Sequence, residues 1–146
     1  MPNWCQNRFY VEGDKADLEK FYNDNSEGEY NLLYSRAIPE MNDPDDKDYD
    51  WYTWRLNNWG VKWELTSEVT YDVVDDNVIE YTFDSPWGPP LQYVDKISAK
   101  YPTLKFKLEY CEMGMEFAGV LEILDDVVIR NDEFPSSEAE GFGDYA

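Results

Sequence analysis

Hydrophobic and polar positions alternate strictly from Asn7 to Glu12, with Phe9 and Val11 on one side and Arg8, Tyr10 and Glu12 on the other. That period of two predicts a half-buried strand, and Gly13 ends it. Asp14 then stands where a helix cap is expected, before Leu18, Phe21 and Tyr22 at helical spacing up to about Asn25, where Ser26-Glu-Gly28 breaks the pattern. From about residue 29 to 66 the periodicity is irregular. Leu32, Leu33 and Ile38 fit a short helix or an extended segment ending at Pro39, the stretch Asn42 to Asp48 has the composition of a solvated loop, and Trp51 to Trp59 predicts a short helix stopped by Gly60.

Two strands follow, Ser67 to Val74 and Val78 to Asp84. A three-residue loop, Asp75-Asp-Asn77, sets Val74 opposite Val78, Val73 opposite Ile79, Tyr71 opposite Tyr81 and Val69 opposite Phe83. A two-residue loop would put apolar positions on mismatched faces. The same register sets Asp72 against Glu80 and Glu68 against Asp84, like charges that destabilise a ladder by a few tenths of a kcal/mol per pair. Pro89 and Pro90 open a second helix with Leu91, Val94, Ile97 and Tyr101 as its apolar stripe, closed before Pro102. Leu104, Phe106, Leu108 and Tyr110 alternate as a fourth strand, Met113-Gly114 turns the chain, and Phe117 to Leu124 returns as a fifth.

The order strand, helix, strand, strand, helix, strand predicts an α+β domain: a ferredoxin-like split βαβ sheet with an aromatic-rich insertion after the first helix and one extra C-terminal strand. Residues 1–130 form this single domain, and residues 131–146 read as an acidic, poorly ordered tail. First and fourth strands are neighbours in such a sheet, which brings Cys5 near Cys111 and sets Arg8, Lys105 and Lys107 beside the acidic hairpin, with Arg8 placed to pair with Glu80 or Asp84.

Charge sharpens the functional question. The chain carries 32 Asp and Glu against 12 Lys and Arg, no His, and a net charge of −20, yet 42% of its residues are hydrophobic and 17% aromatic. Enough apolar surface is present for a core, while the charge disfavours direct contact with nucleic acid or an anionic membrane and favours basic protein partners. Two cysteines and no apolar run of spanning length point to a cytoplasmic protein with buried thiols. The acidic loop after Asp43 lacks the glycine and terminal glutamate of an EF-hand. No histidine is available for a triad, and no glycine-rich phosphate loop precedes a helix, so neither metal, cofactor nor enzymatic chemistry is expected.

Four blocks, Met1-Pro-Asn-Trp-Cys-Gln-Asn7, Trp54-Arg-Leu-Asn-Asn-Trp-Gly-Val-Lys-Trp63, Phe83-Asp-Ser-Pro-Trp-Gly-Pro-Pro90 and Tyr110-Cys-Glu-Met-Gly-Met-Glu-Phe-Ala-Gly119, resemble the YubB-type ferredoxin-like domains of phage and plasmid proteins. The resemblance implies the fold and an origin in a mobile element, and it carries no catalytic residues. The expected function is that of an acidic binding protein occupying a basic, nucleic-acid-binding surface of a host protein, such as an antiviral defence factor. Its contact residues are expected to be Glu68, Asp72, Asp75, Asp76, Glu80 and Asp84, followed by Asp43, Asp45, Asp46, Asp48 and Asp50. The alternative is a small-ligand or peptide binder using Trp59, Trp63, Trp87 and Asn7, because aromatic walls with a few amides suit such pockets.

Overall fold

The computed structural model describes residues 2–142. Six strands form one antiparallel sheet: β1 (Trp4–Glu12), β2 (Thr70–Asp75), β3 (Val78–Pro86), β4 (Lys105–Glu112), β5 (Phe117–Leu124) and β6 (Val127–Pro135), in spatial order β2-β3-β1-β4-β5-β6. The helices are α1 (Lys15–Asn25), α2 (Tyr34–Ala37), α3 (Trp51–Asn58) and α4 (Leu91–Lys100). The first four strands with α1 and α4 make a ferredoxin-like domain, as the alternation predicts; α2 and α3 lie in the insertion between α1 and β2.

The core forms where the odd residues of β1 meet the helices. Phe9 lies opposite Tyr81 on β3 and Leu108 on β4, so all three share one face. Phe9 stacks on Phe106 with ring centroids 5.8 Å apart and meets Phe21 of α1 and Tyr93 of α4 edge-on. Val94, Ile97 and Leu18 are buried in the same layer, so α1 and α4 cover that face. A fully buried aromatic ring contributes about 2–3 kcal/mol from area removed from water. Among the described residues no α-helix packs on the opposite face, where residues 140–142 lie over Arg8.

Local structure departs from the sequence reading at five places. Asp14 occupies the cap position of α1 but its side chain makes no capping bond; only its carbonyl does, accepting from Leu18 N at 2.9 Å. The β2–β3 turn has two residues, Asp76 and Asn77, because Asp75 lies opposite Val78 and a bulge between Val73 and Asp75 absorbs Val74. One extra residue in a strand lets the short turn coexist with the expected pairing of Val73 with Ile79 and Asp72 with Glu80. β2 also starts late, at Thr70, so the pairs Val69–Phe83 and Glu68–Asp84 are not formed. A turn explains this: Val69 N donates to Thr66 O and the Val69 carbonyl accepts from Asn31 Nδ2.

The fourth departure is at the C-terminus. The ordered chain does not stop at Arg130; β6 continues to Pro135, followed by a 3-10 turn at Ser136–Glu138. Asp125 and Asp126 both take positive φ, 50° and 60°, the geometry of a tight two-residue hairpin, and β6 thereby satisfies the free edge of β5. Residues 143–146 of the expected tail lie outside the described residues. Lastly, Arg8 faces Glu109, with a 3.4 Å ion pair, and donates to the Glu140 and Gly141 carbonyls, rather than reaching Glu80 or Asp84. Strand β4, whose Glu109 is directly opposite, lies closer to hand than the diagonal acids of β3.

The candidate binding edge and its cleft

The helix-free face presents its side chains in rows across the sheet. One row runs Asp72, Glu80, Tyr10, Lys107, Glu122 and Arg130; the next runs Thr70, Thr82, Arg8, Glu109, Val120 and Asp132. Towards β6 the charges alternate and pair: Lys105 with Glu122 at 3.3 Å, Arg130 with Asp132 at 2.6 Å, and Lys107 over the Tyr10 ring at 5.0 Å. At the β2–β3 edge two acids stand side by side. Asp72 is exposed directly opposite half-buried Glu80. Burial, reinforced by Glu80 accepting from its hydroxyl, pushes the Tyr10 phenol up to about 12.

Asp75 and Asp76 extend this acidic edge into the turn, where the Asp75 carboxylate accepts from Asp76 N at 2.7 Å. The loop acids form a different patch. Asp43 and Asp46 accept from the backbone of Asp45 and Asp48 at 2.9 Å, and Asp50 caps α3 by accepting from Thr53 N and Thr53 Oγ1. Those bonds to Thr53 hold the Asp50 carboxyl below its usual range. Asp43, Asp45, Asp46, Asp48 and Asp50 are exposed, and none lines the cleft described next.

Because β2 stops opposite Thr82 while β3 continues to Pro86 beside β1, the last four residues of β3 have a strand neighbour on one side only. The segment Glu64 to Val69 loops past this gap and leaves a cleft of about 670 Å³. Trp4 and Trp63 wall it with ring centroids 5.9 Å apart, Glu68 and Asp84 stand on its exposed rim, and Tyr34 and Phe83 lie at its floor. Thr66, Thr70 and Thr82 add hydroxyls, and among the described residues no Lys or Arg lines it. The Lys62 ammonium sits 4.4 Å from the Trp63 ring centroid.

Glu64 builds the cleft wall. One carboxylate oxygen accepts from Tyr34 N at 2.7 Å and Leu65 N at 2.9 Å, and the other from Ser35 N at 2.9 Å. Leu33, the residue before α2, offers no side-chain cap, so Glu64 takes that role from thirty residues away and ties the insertion to the segment entering β2.

Of the four residues named for a ligand pocket, the structure brings only Trp63 to one. Trp59 is 2% exposed, donates through Nε1 to the Ile38 carbonyl at 3.0 Å and packs on Tyr34; it is core. Asn7 is fully buried and donates to the Cys5 and Phe83 carbonyls and to Ser85 Oγ, a tie between β1 and β3. Trp87, at φ 69°, is half exposed and outside the cleft. Trp4, which the sequence reading overlooked, takes the position expected of a partner to Trp63; its signal was the alternation itself, since Trp4 falls on the opposite face from Cys5.

Cys5 and Cys111 are both buried free thiols, and burial raises the pKa of each. Among the described residues no helix is long and apolar enough to cross a membrane.

Residues 58–145, which include Trp63 and Glu64 of the cleft, β2 to β6 and α4, match a family model described as the ferredoxin-like domain in Api92-like protein. The chain belongs to that family. No curated protein matches the sequence. Among solved structures, the crystal structure of the Api92 protein from Yersinia pseudotuberculosis superposes with a TM-score of 0.67 at 10% sequence identity, covering 97% of this chain and 100% of that one. At that identity the likeness concerns the fold: the family's sheet and helices persist while the side chains on them have changed.

Proposed function

We propose that this member of the family is a non-enzymatic binding protein that engages a basic protein surface through its acidic β2–β3 edge. The observation that carries the reading is the Asp72–Glu80 pair. Like charges directly across a ladder cost stability, and a partner cation repays that cost on binding. Glu68 and Asp84 continue the acidic field along the same edge, Asp75 and Asp76 extend it into the turn, and Arg8, Lys105 and Arg130 of the sheet face already pair with Glu109, Glu122 and Asp132. A second reading, a ligand or peptide site, is favoured by the Trp4–Trp63 cleft, which lies on that edge and makes the two readings compatible.

The finer form of the proposal joins the YubB-type resemblance to the net charge of −20. It places the protein in a phage or plasmid and in the host cytoplasm, with a host protein that binds nucleic acid, such as an antiviral defence factor, as the partner. Carboxylates fixed on strands would then stand where phosphates bind, with attraction that weakens as salt rises.

Octa-arginine serves as a stand-in for the basic surface. Asp72→Lys with Glu80→Lys is expected to weaken its binding at least ten-fold with the circular dichroism spectrum unchanged, whereas Asp45→Lys with Asp48→Lys, an equal change in net charge, costs far less. Equal losses in the two double variants refute the edge as the contact surface.

A further inference from the structure

The cleft has features that the acidic edge alone does not require. Its walls are indoles, its rim is acidic, and among the described residues the buried hydroxyls without a hydrogen-bond partner belong to Tyr34, Tyr81 and Tyr93, of which only Tyr34 lines the cleft. A fully buried phenol that leaves its hydroxyl unpaired loses free energy relative to one that finds a partner.

The geometry points to an arginine side chain, carried on an extended segment of the partner, as the occupant of this cleft; the inference rests on the basic-partner reading above. A guanidinium is planar, so it stacks on an indole while its N–H groups reach carboxylates and hydroxyls at its edge. Trp4 and Trp63 supply the faces, Glu68 and Asp84 the carboxylates, and the threonine hydroxyls further acceptors. The Lys62 ammonium over Trp63 shows that this indole already accepts a cation on its surface. The cleft runs beside residues 83–86 of β3, which have no strand partner on that side, so an occupant carried on an extended segment would lie along that strand.

The test uses the 146-residue chain and three capped pentapeptides, with arginine, lysine or neutral citrulline at the centre of four glycines. Of the six tryptophan indole N–H signals in a two-dimensional nitrogen–proton NMR spectrum, those of Trp4 and Trp63 should shift with the arginine peptide, less with lysine and not with citrulline, while buried Trp59 stays still. Trp63→Leu is expected to weaken the arginine peptide roughly five-fold, and Glu68→Gln with Asp84→Asn roughly ten-fold. All these side chains are substantially exposed, so the variants should fold.

Citrulline acting as well as arginine, or shifts confined to other indoles, overturns the inference. Octa-arginine binding that depends on Asp72 and Glu80 while the pentapeptides leave Trp4 and Trp63 unmoved also overturns it and leaves the edge reading standing. Movement of both indoles by the arginine peptide alone, with octa-arginine indifferent to the Asp72 and Glu80 reversal, supports the cleft and removes the edge.

Discussion

Replacing Glu64 with alanine should uncouple the insertion from the sheet. The carboxylate accepts three backbone amides, from Tyr34, Ser35 and Leu65, at 2.7 to 2.9 Å. A hydrogen bond to a charged group contributes on the order of 1.5–3 kcal/mol when buried, and Glu64 is only half-buried, so about 1 kcal/mol per bond is a suitable discount. The loss for Glu64→Ala is then about 3 kcal/mol, comparable to deleting a strong helix cap together with a loop anchor. In a domain of this size that corresponds to a fall in Tm of roughly 10 °C. Glu64→Gln keeps an acceptor and should lose about half as much. Denaturant titration followed by far-ultraviolet circular dichroism provides the free energy, with an unchanged m-value showing that the comparison is valid. Indole fluorescence follows the same transition locally, since Trp59 rests on Tyr34, whose amide Glu64 holds. A Glu64→Ala protein within about 0.5 kcal/mol of the parent would refute the idea that this carboxylate staples the insertion.

Asp72→Asn removes one member of a like-charge pair and should stabilise the protein by a few tenths of a kcal/mol at low salt, the gain shrinking as salt rises; a loss of stability would contradict the assigned register. Asn7→Ala leaves Ser85 Oγ and the Phe83 carbonyl short of a donor in the core and should cost about 2–3 kcal/mol by chemical denaturation, whereas a surface asparagine such as Asn57 should be near neutral. Burial holds Tyr10, Tyr101 and Tyr110 up at about 12 against an ordinary 10, so their neutral forms favour the folded state; that contribution is complete below pH 10 and is lost as pH rises towards 12. Absorbance at the phenolate band should show this late-titrating group, merging into the ordinary one once urea unfolds the chain. On the acid side, hydrogen bonds from Lys20 and Tyr101 lower the pKa of Asp24, so its contribution is present above the unfolded value of 3.8 and fades as pH falls through the lower folded value; Tyr101→Phe should lessen that acid sensitivity.

Much of this architecture can be read along the chain because the periods are local. Phe9 and Val11 against Arg8 and Tyr10 identify β1, and Leu104 to Tyr110 identify β4, since a strand exposed to solvent on one face must alternate. The register of Val73 with Ile79 follows from matching those faces, even though the turn that achieves it is shorter and the strand bulged. β6 was hidden because Val127, Val128 and Ile129 are followed by charged residues that look like tail, and only the free edge of β5 makes them a strand. The Leu124-Asp-Asp-Val127 pattern, two turn-prone residues between apolar ones, was the local signal available.

For the site, sequence alone determined the charge, its concentration between Glu64 and Asp84, and the fact that Asp72 and Glu80 oppose each other, because pairing partners follow from a period of two. Tertiary structure decided which aromatics are walls and which are core. Trp59 and Trp63 are four residues apart and chemically identical, yet one is sealed against Tyr34 and Ile38 while the other stands beside Trp4 at the mouth of a cleft. That difference depends on where β2 begins and on Glu64 bonding across to α2. Both are contacts between segments remote in sequence, which no period within either segment encodes.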